Sequence, residues 1–156
     1  MRSSSIITLA TQSKRYIEKC APIIRKPSKF LYQFIGARLF SNNLINLAQV
    51  YGTGKYGVHY YAAHYEHHFR SLRKRRLKIL ELGVGGYDDT SKGGNSLRMW
   101  KVYFPKAQIF GIDIHDKSAL EENRIQIFHG SQSDQAFLEQ VISTIGTIDI
   151  VIDDGS

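Results

Sequence analysis

At 156 residues, 42% hydrophobic and 12% aromatic, the chain has the size and composition of one globular domain, which excludes a largely disordered protein. A single cysteine, Cys20, excludes an internal disulfide framework; no Cys/His spacing matches a zinc site, and no apolar run approaches the roughly 18 residues of a membrane span, so a reducing, cytoplasmic setting is expected. The net charge of +7 is uneven: residues 1–78 carry fifteen Lys/Arg against Glu18 and Glu66, whereas residues 79–156 carry six against twelve acids, so a basic first half precedes an acidic half suited to a cationic ligand.

Residues 1–50 read as a basic, mostly helical segment broken by Pro22 and Pro27, with apolar runs from Phe30 to Phe40 and from Leu44 to Val50. Its Ser- and Arg-rich opening has the flavour of a transit peptide but lacks a long apolar run, and a basic arm capable of weak contact with an anionic membrane is the preferred reading. "YGTGKYG", residues 51–57, is rich in glycine and marks a boundary. From His59 to Arg76, Tyr61, Tyr65, Phe69 and Leu72 fall on one helical face, so residues 51–76 form a turn and an amphipathic helix leading into the core. The histidines of that helix, His59, His64, His67 and His68, are read as solvated surface, the commoner state of such histidines, and not as metal ligands. The closing "RSLRKRR" is read as cations at a helix C-terminus, favoured by the macrodipole, and not as a nucleic-acid patch.

Residues 77–156 alternate between the two periodicities. "LKILELG", "AQIFGIDI", "IQIFHG" and "IDIVID" are strand-like, while "SLRMWKVYF" and "DQAFLEQVISTIG" are helical, the second with Phe137, Leu138, Val141 and Ile145 on one face. Strands with helices interposed predict an α/β, Rossmann-like fold of about four parallel strands, and right-handed crossovers place every strand C-terminus along one edge. Ligands bind at that edge.

The first strand delivers Glu81 and the turn glycines Gly83, Gly85 and Gly86, where a ligand can approach the backbone closely. A carboxylate there suits the ammonium of a methionine moiety better than a pyrophosphate; otherwise it caps nearby amides. The second strand ends in Asp113, at the place where ribose hydroxyls are gripped. After the third, Asp134 either accepts from an adenine amine or caps the following helix. The fourth delivers Asp153 and Asp154, whose directions alternate, so that one faces the cofactor and the other the substrate or a hard cation such as Mg²⁺. As a set these acids fit an adenosine-bearing, cationic cofactor, and S-adenosylmethionine satisfies each element.

Together "YGTGKYG", "ILELGVGGYDDTSKGGNSLRMWKVYFP", "IFGIDIHDKS", "RIQIFHGSQSD" and "IDIVIDDGS" resemble the macrolide-sugar O-methyltransferases of the mycinamicin and macrocin kind, within the class I S-adenosylmethionine-dependent methyltransferases. The resemblance covers about residues 51–156. It implies a methyl donor, Mg²⁺, a sugar hydroxyl on a glycosylated natural product as acceptor, and a homo-oligomer in the complete enzyme; no nucleic-acid partner is expected. It places Glu81, Gly83, Gly85 and Gly86 on the methionine portion, Asp113 on the ribose, Asp134 with Gln132 or Ser133 on the adenine, Asp153 beside the cofactor, and Asp154 on the metal.

The family's catalytic histidine would follow Ser156, and its remaining metal ligands would follow the next strand, so the sequence reads as a C-terminally truncated methyltransferase, inactive and poorly stable alone. A second departure is Gly54, where the family usually has Asp. Two other readings stay open: a nicotinamide-dependent Rossmann oxidoreductase, against which the absence of a clean GxGxxG counts, and a non-catalytic remnant whose basic half binds an anionic surface.

Overall fold

The computed structural model describes residues 28–56 and 61–155; the expectations that fall on residues 1–27, on His59 and on Ser156 lie outside the described residues. Three helices come first, α1 (Lys29–Phe40), α2 (Leu44–Tyr51) and α3 (Tyr61–Phe69). The alternating part follows as β1 (Lys78–Leu82), α4 (Asn95–Tyr103), β2 (Gln108–Asp113), a 3-10 turn (Ser118–Leu120), β3 (Ile125–His129), α5 (Gln135–Ile145) and β4 (Ile150–Asp153).

Local chemistry sets the helix ends. Ser28 caps α1 by accepting from the Leu31 amide, and Asn43 caps α2 by accepting from Asn46 at 2.9 Å. Glu66 of α3 reaches across to accept from the Leu44 amide at 2.7 Å, which satisfies a second orphan donor at the start of α2. α2 stops at Gly52, whose φ of +65° lets its amide fold back onto the carbonyls of Ala48 and Gln49.

α3 is shorter than its periodicity predicts. It ends at Phe69, and "RSLRKRR" lies in turns beyond it, where the amides of Leu72 and Arg75 bond three residues back. The chain has to reverse there to enter β1, and Leu72 still packs on the core. The basic side chains of the helix's last turn are His67 and His68, and Arg73, Arg75 and Arg76 lie in the turns beyond the reach of the macrodipole.

The four strands form one parallel sheet in the order β3-β2-β1-β4. Alternate residues of β1 serve opposite faces. Ile79 packs with Leu44, Leu47, Trp100, Tyr103 and Phe104 in a core that runs unbroken from α2 through α3 and α4 to the sheet. Leu80 packs on the other face with Phe110, Ile112, Val141 and Ile145, under α5. Burial on both faces explains why the strands read as apolar runs. Aromatic rings fasten α3 to α4: Tyr65 meets Trp100 edge-on at 5.5 Å, and Phe69 lies 5.8 Å from Phe104.

Candidate functional site

Parallel register brings the strand ends Leu82, Asp113, His129 and Asp153 to one edge. Pairing continues one residue beyond the strands, through Gly83 N–H to the Ile112 carbonyl, Gly130 to Asp113 and Asp154 to Leu82. The starts of the loops after β1, β3 and β4 are thus fixed against their neighbouring strands before any side chain acts.

The glycine-rich turn after β1 is a double-backed loop. Gly83 and Gly86 both have φ of +86°, and a Cβ on Gly83 would stand 2.9 Å from the Asp154 carbonyl, while one on Gly86 would collide with the Lys92 carbonyl. Asp113 pins the loop from β2: one carboxylate oxygen accepts from the Val84 amide at 2.9 Å and the other from His115 at 2.9 Å. Lys117, fully buried, donates to the carbonyls of Tyr87, Asp89 and Lys92.

Glu81 sits beneath this loop with no exposed surface. Its carboxylate accepts from Lys55 Nζ at 2.6 Å and from Trp100 Nε1 at 3.2 Å. Lys55 comes from "YGTGK" and is itself 2% exposed; its ammonium also reaches Asp154 at 2.7 Å. Burial pushes the Glu81 carboxyl up against the pull of the Lys55 ammonium and the Ser96 hydroxyl. Burial works against the Lys55 ammonium too, but Glu81 and Asp154 more than offset it, and its pKa lies above the ordinary lysine value.

On the far side, Asp134 caps α5 by accepting from the Phe137 amide at 3.2 Å. Gln132 packs against Gly155, joining the loops after β3 and β4, and Ser133 donates its amide to Ser131. Asp153 is exposed and accepts from the Gly155 amide. Asp153 and Asp154 thus part company, one onto its own turn and the other onto Lys55.

A cavity of about 510 Å³ opens at this edge, between the residue 52–55 loop, the glycine loop and the start of α4. It is lined by Gly83, Gly85 and Gly86, by Lys55 and Asp154, and by Thr53, which is 9% exposed and whose hydroxyl has no hydrogen-bond partner. An orphaned buried hydroxyl in a polar cavity fits a ligand rich in donors and acceptors, as an adenosine cofactor is. The donor set does not fit a metal in the same way. Among the described residues no three His, Cys, Asp or Glu side chains converge, and Asp154 already has a cation.

Sequence reasoning placed Glu81, the glycines, Asp113, Asp134 and Asp154 on this edge and missed Thr53, Lys55, Ser96 and Lys117. "YGTGKYG" was read as a boundary because its glycines signal a turn. Lys55 finds its partners 26 and 99 residues away, and no local pattern encodes that.

The sheet order, the glycine loop after β1 and the acid after β2 define part of a Rossmann-like methyltransferase fold. The resemblance read from the sequence is borne out by known proteins. Over 115 residues the chain is 48% identical to the mycinamicin VI 2''-O-methyltransferase of Micromonospora griseorubida, a match that spans 73% of this chain and 29% of that protein. It is 50% identical over 113 residues to an 8-demethyl-8-alpha-L-rhamnosyl tetracenomycin-C 2'-O-methyltransferase of Streptomyces olivaceus, and 45% identical over 115 to the demethylmacrocin O-methyltransferase of Streptomyces fradiae. Among solved structures, MycE methyltransferase from the mycinamycin biosynthetic pathway, in complex with Mg, SAH and mycinamycin VI, superposes with a TM-score of 0.71 at 48% identity over 73% of this chain and 31% of its own. No protein-family model matches the chain. The chain spans about 30% of the length of the curated relatives it matches. No helix among the described residues is long and apolar enough to cross a membrane.

Proposed function

We propose that the chain is the cofactor-binding part of an S-adenosylmethionine-dependent O-methyltransferase, whose complete form methylates a sugar hydroxyl of a glycosylated natural product. The observation that carries the proposal is the polar cavity at the C-terminal edge of a parallel sheet, with the unpartnered Thr53 hydroxyl in its wall. Identity of 41–50% to five sugar O-methyltransferases supplies the reaction class. A cytoplasmic setting and a homo-oligomeric complete enzyme are parts of the same proposal.

When bound, S-adenosylmethionine supplies a sulfonium methyl group for in-line transfer to an oxygen nucleophile. This chain's share of the work is alignment. Gly83, Gly85 and Gly86 leave room for the methionine portion against the backbone, and Thr53 offers it or the sugar a hydroxyl. Asp113 already holds two amides, yet each carboxylate oxygen keeps a further lone pair for the ribose hydroxyls. On this reading Asp134, Gln132 and Ser133, in the loop after β3, serve the adenine, and Asp153, exposed on the same edge, serves the cofactor. Glu81, with no exposed surface, holds the cavity wall through Lys55 and Trp100. Asp154 is the Mg²⁺ ligand that the resemblance implies, but its carboxylate is held by Lys55 and the described residues do not build a metal site.

Calorimetric titration of the purified chain with S-adenosylhomocysteine and, separately, with NADH tests this reading. Saturable heat with S-adenosylhomocysteine alone is expected. Heat with NADH alone would establish the oxidoreductase reading instead.

A further inference from the structure

Among the described residues, the one charged side chain that bonds both Glu81 and Asp154 at the cavity is Lys55, and it reaches them from outside the sheet. Its backbone is held at the other end as well, because the Lys55 carbonyl accepts from the Ala62 amide of α3 at 3.0 Å. Two residues earlier, the Thr53 amide bonds the Ala48 carbonyl at the end of α2. The loop is thus tied to α2 through the Thr53 amide and to α3 through the Lys55 carbonyl, and the Lys55 side chain ties it to the sheet edge as well. Lys55 Nζ spans Glu81 on β1 and Asp154 just past β4 at 2.6 and 2.7 Å. Both bonds are charge-assisted, and the first is fully buried.

We infer that Lys55 is a positioning residue: it latches the residue 52–56 loop onto the ends of β1 and β4, holds Thr53 at the cofactor cavity, and stands at Asp154 where a divalent cation was expected. The inference rests on the cofactor reading of the cavity.

The test is a double-mutant cycle on the full 156-residue chain, with S-adenosylhomocysteine affinity measured by calorimetry for wild type, Lys55→Met, Thr53→Val and the pair. If Lys55 acts through Thr53, each single change weakens binding by about tenfold and the pair weakens it no further, because the second change removes a contact already lost. Should Lys55→Met fail to fold, the same cycle is run in a Glu81→Gln background, where no buried carboxylate is left uncompensated and the half-exposed Asp154 is met by water. The Lys55 ammonium is also followed by ¹⁵N NMR: a signal protected from exchange, unmoved by Mg²⁺ alone, is expected. Losses that multiply in the pair, binding of Lys55→Met equal to wild type, or a Lys55 signal displaced by Mg²⁺ alone would each overturn the inference while leaving the cofactor reading intact. A wild-type chain that gives no heat overturns the cofactor reading itself.

Discussion

Lys117 is fully buried, and among the described residues its side chain has no carboxylate as ion-pair partner; it is held by the carbonyls of Tyr87, Asp89 and Lys92, across the doubled-back glycine loop. Bonds from a charged donor contribute about 1.5–3 kcal/mol each, so Lys117→Met is expected to lower stability by roughly 2 kcal/mol or more and to expose residues 87–92 to protease. Urea unfolding and limited trypsin digestion measure the two effects. Glycines of the same region divide by environment. Gly86→Ala has to move backbone and is expected to destroy the loop, whereas a Cβ on Gly54 meets nothing within 4 Å and its φ lies outside the left-handed region. Gly54→Ala is therefore expected to be neutral or to stabilise by about 0.4–1 kcal/mol through the unfolded chain, read as a shift in urea midpoint. The sequence showed where glycines lie, but not which of them face backbone. Neither lysine was legible: a side chain whose partners are brought together by folding carries no local signature.

Elements were more legible than their ends. Each of the four strands and both crossover helices fall where periodicity put them, because apolar runs between turn residues have few other solutions. α3 failed at its C-terminus, where the reversal into β1 overrode the helical spacing of Leu72. Asp134 shows the ambiguity of a residue at an element boundary, since a cap for α5 and a contact for adenine need the same oxygen-bearing side chain. The two uses separate by experiment. Asp134→Ala loses the cap and is expected to cost about 0.5–2 kcal/mol in unfolding measurements, while Asp134→Ser retains it. If the carboxylate also serves the adenine, Asp134→Ser keeps stability but binds S-adenosylhomocysteine more weakly. Equal binding by Asp134→Ser and wild type would leave Asp134 as a cap only.

Across the whole molecule, the helical layer of α2, α3 and α4 is bound to the sheet by buried rings that include tyrosines. Burial raises the pKa of Tyr51, Tyr65 and Tyr103 above the ordinary tyrosine value, with Glu66 adding to the rise at Tyr103. Each such group keeps its proton in the folded state at a pH where the unfolded chain has begun to lose it. The folded state then binds more protons than the unfolded, so stability is full below about pH 10 and falls as pH rises beyond it. Urea midpoints between neutral and strongly alkaline pH are expected to decline from that point, and Tyr103→Phe is expected to flatten the decline. A midpoint that climbs with alkalinity would contradict the burial of these rings.

Among the described residues the sheet closes neither edge. β3 and β4 each have one strand neighbour, and β4 presents Val151, 58% exposed although it stands in register with the buried Leu80. Ile142 of α5 is 52% exposed beside the same layer. α5 covers the sheet face over β1 and β2, where Leu80, Phe110 and Ile112 meet Val141 and Ile145, and leaves the β4 end of that face open to solvent. A parallel strand is stable when both its faces are covered, and an unpaired edge carrying an apolar side chain pairs readily with another chain. The 156-residue chain is thus expected to self-associate as its concentration rises, seen as a growing mass by light scattering during size-exclusion chromatography. Val151→Lys places a charge on the open face without touching the cavity and is expected to suppress that growth while leaving S-adenosylhomocysteine binding in place. A mass independent of concentration in the wild type, or unchanged association in Val151→Lys, would show that this edge is not where chains meet.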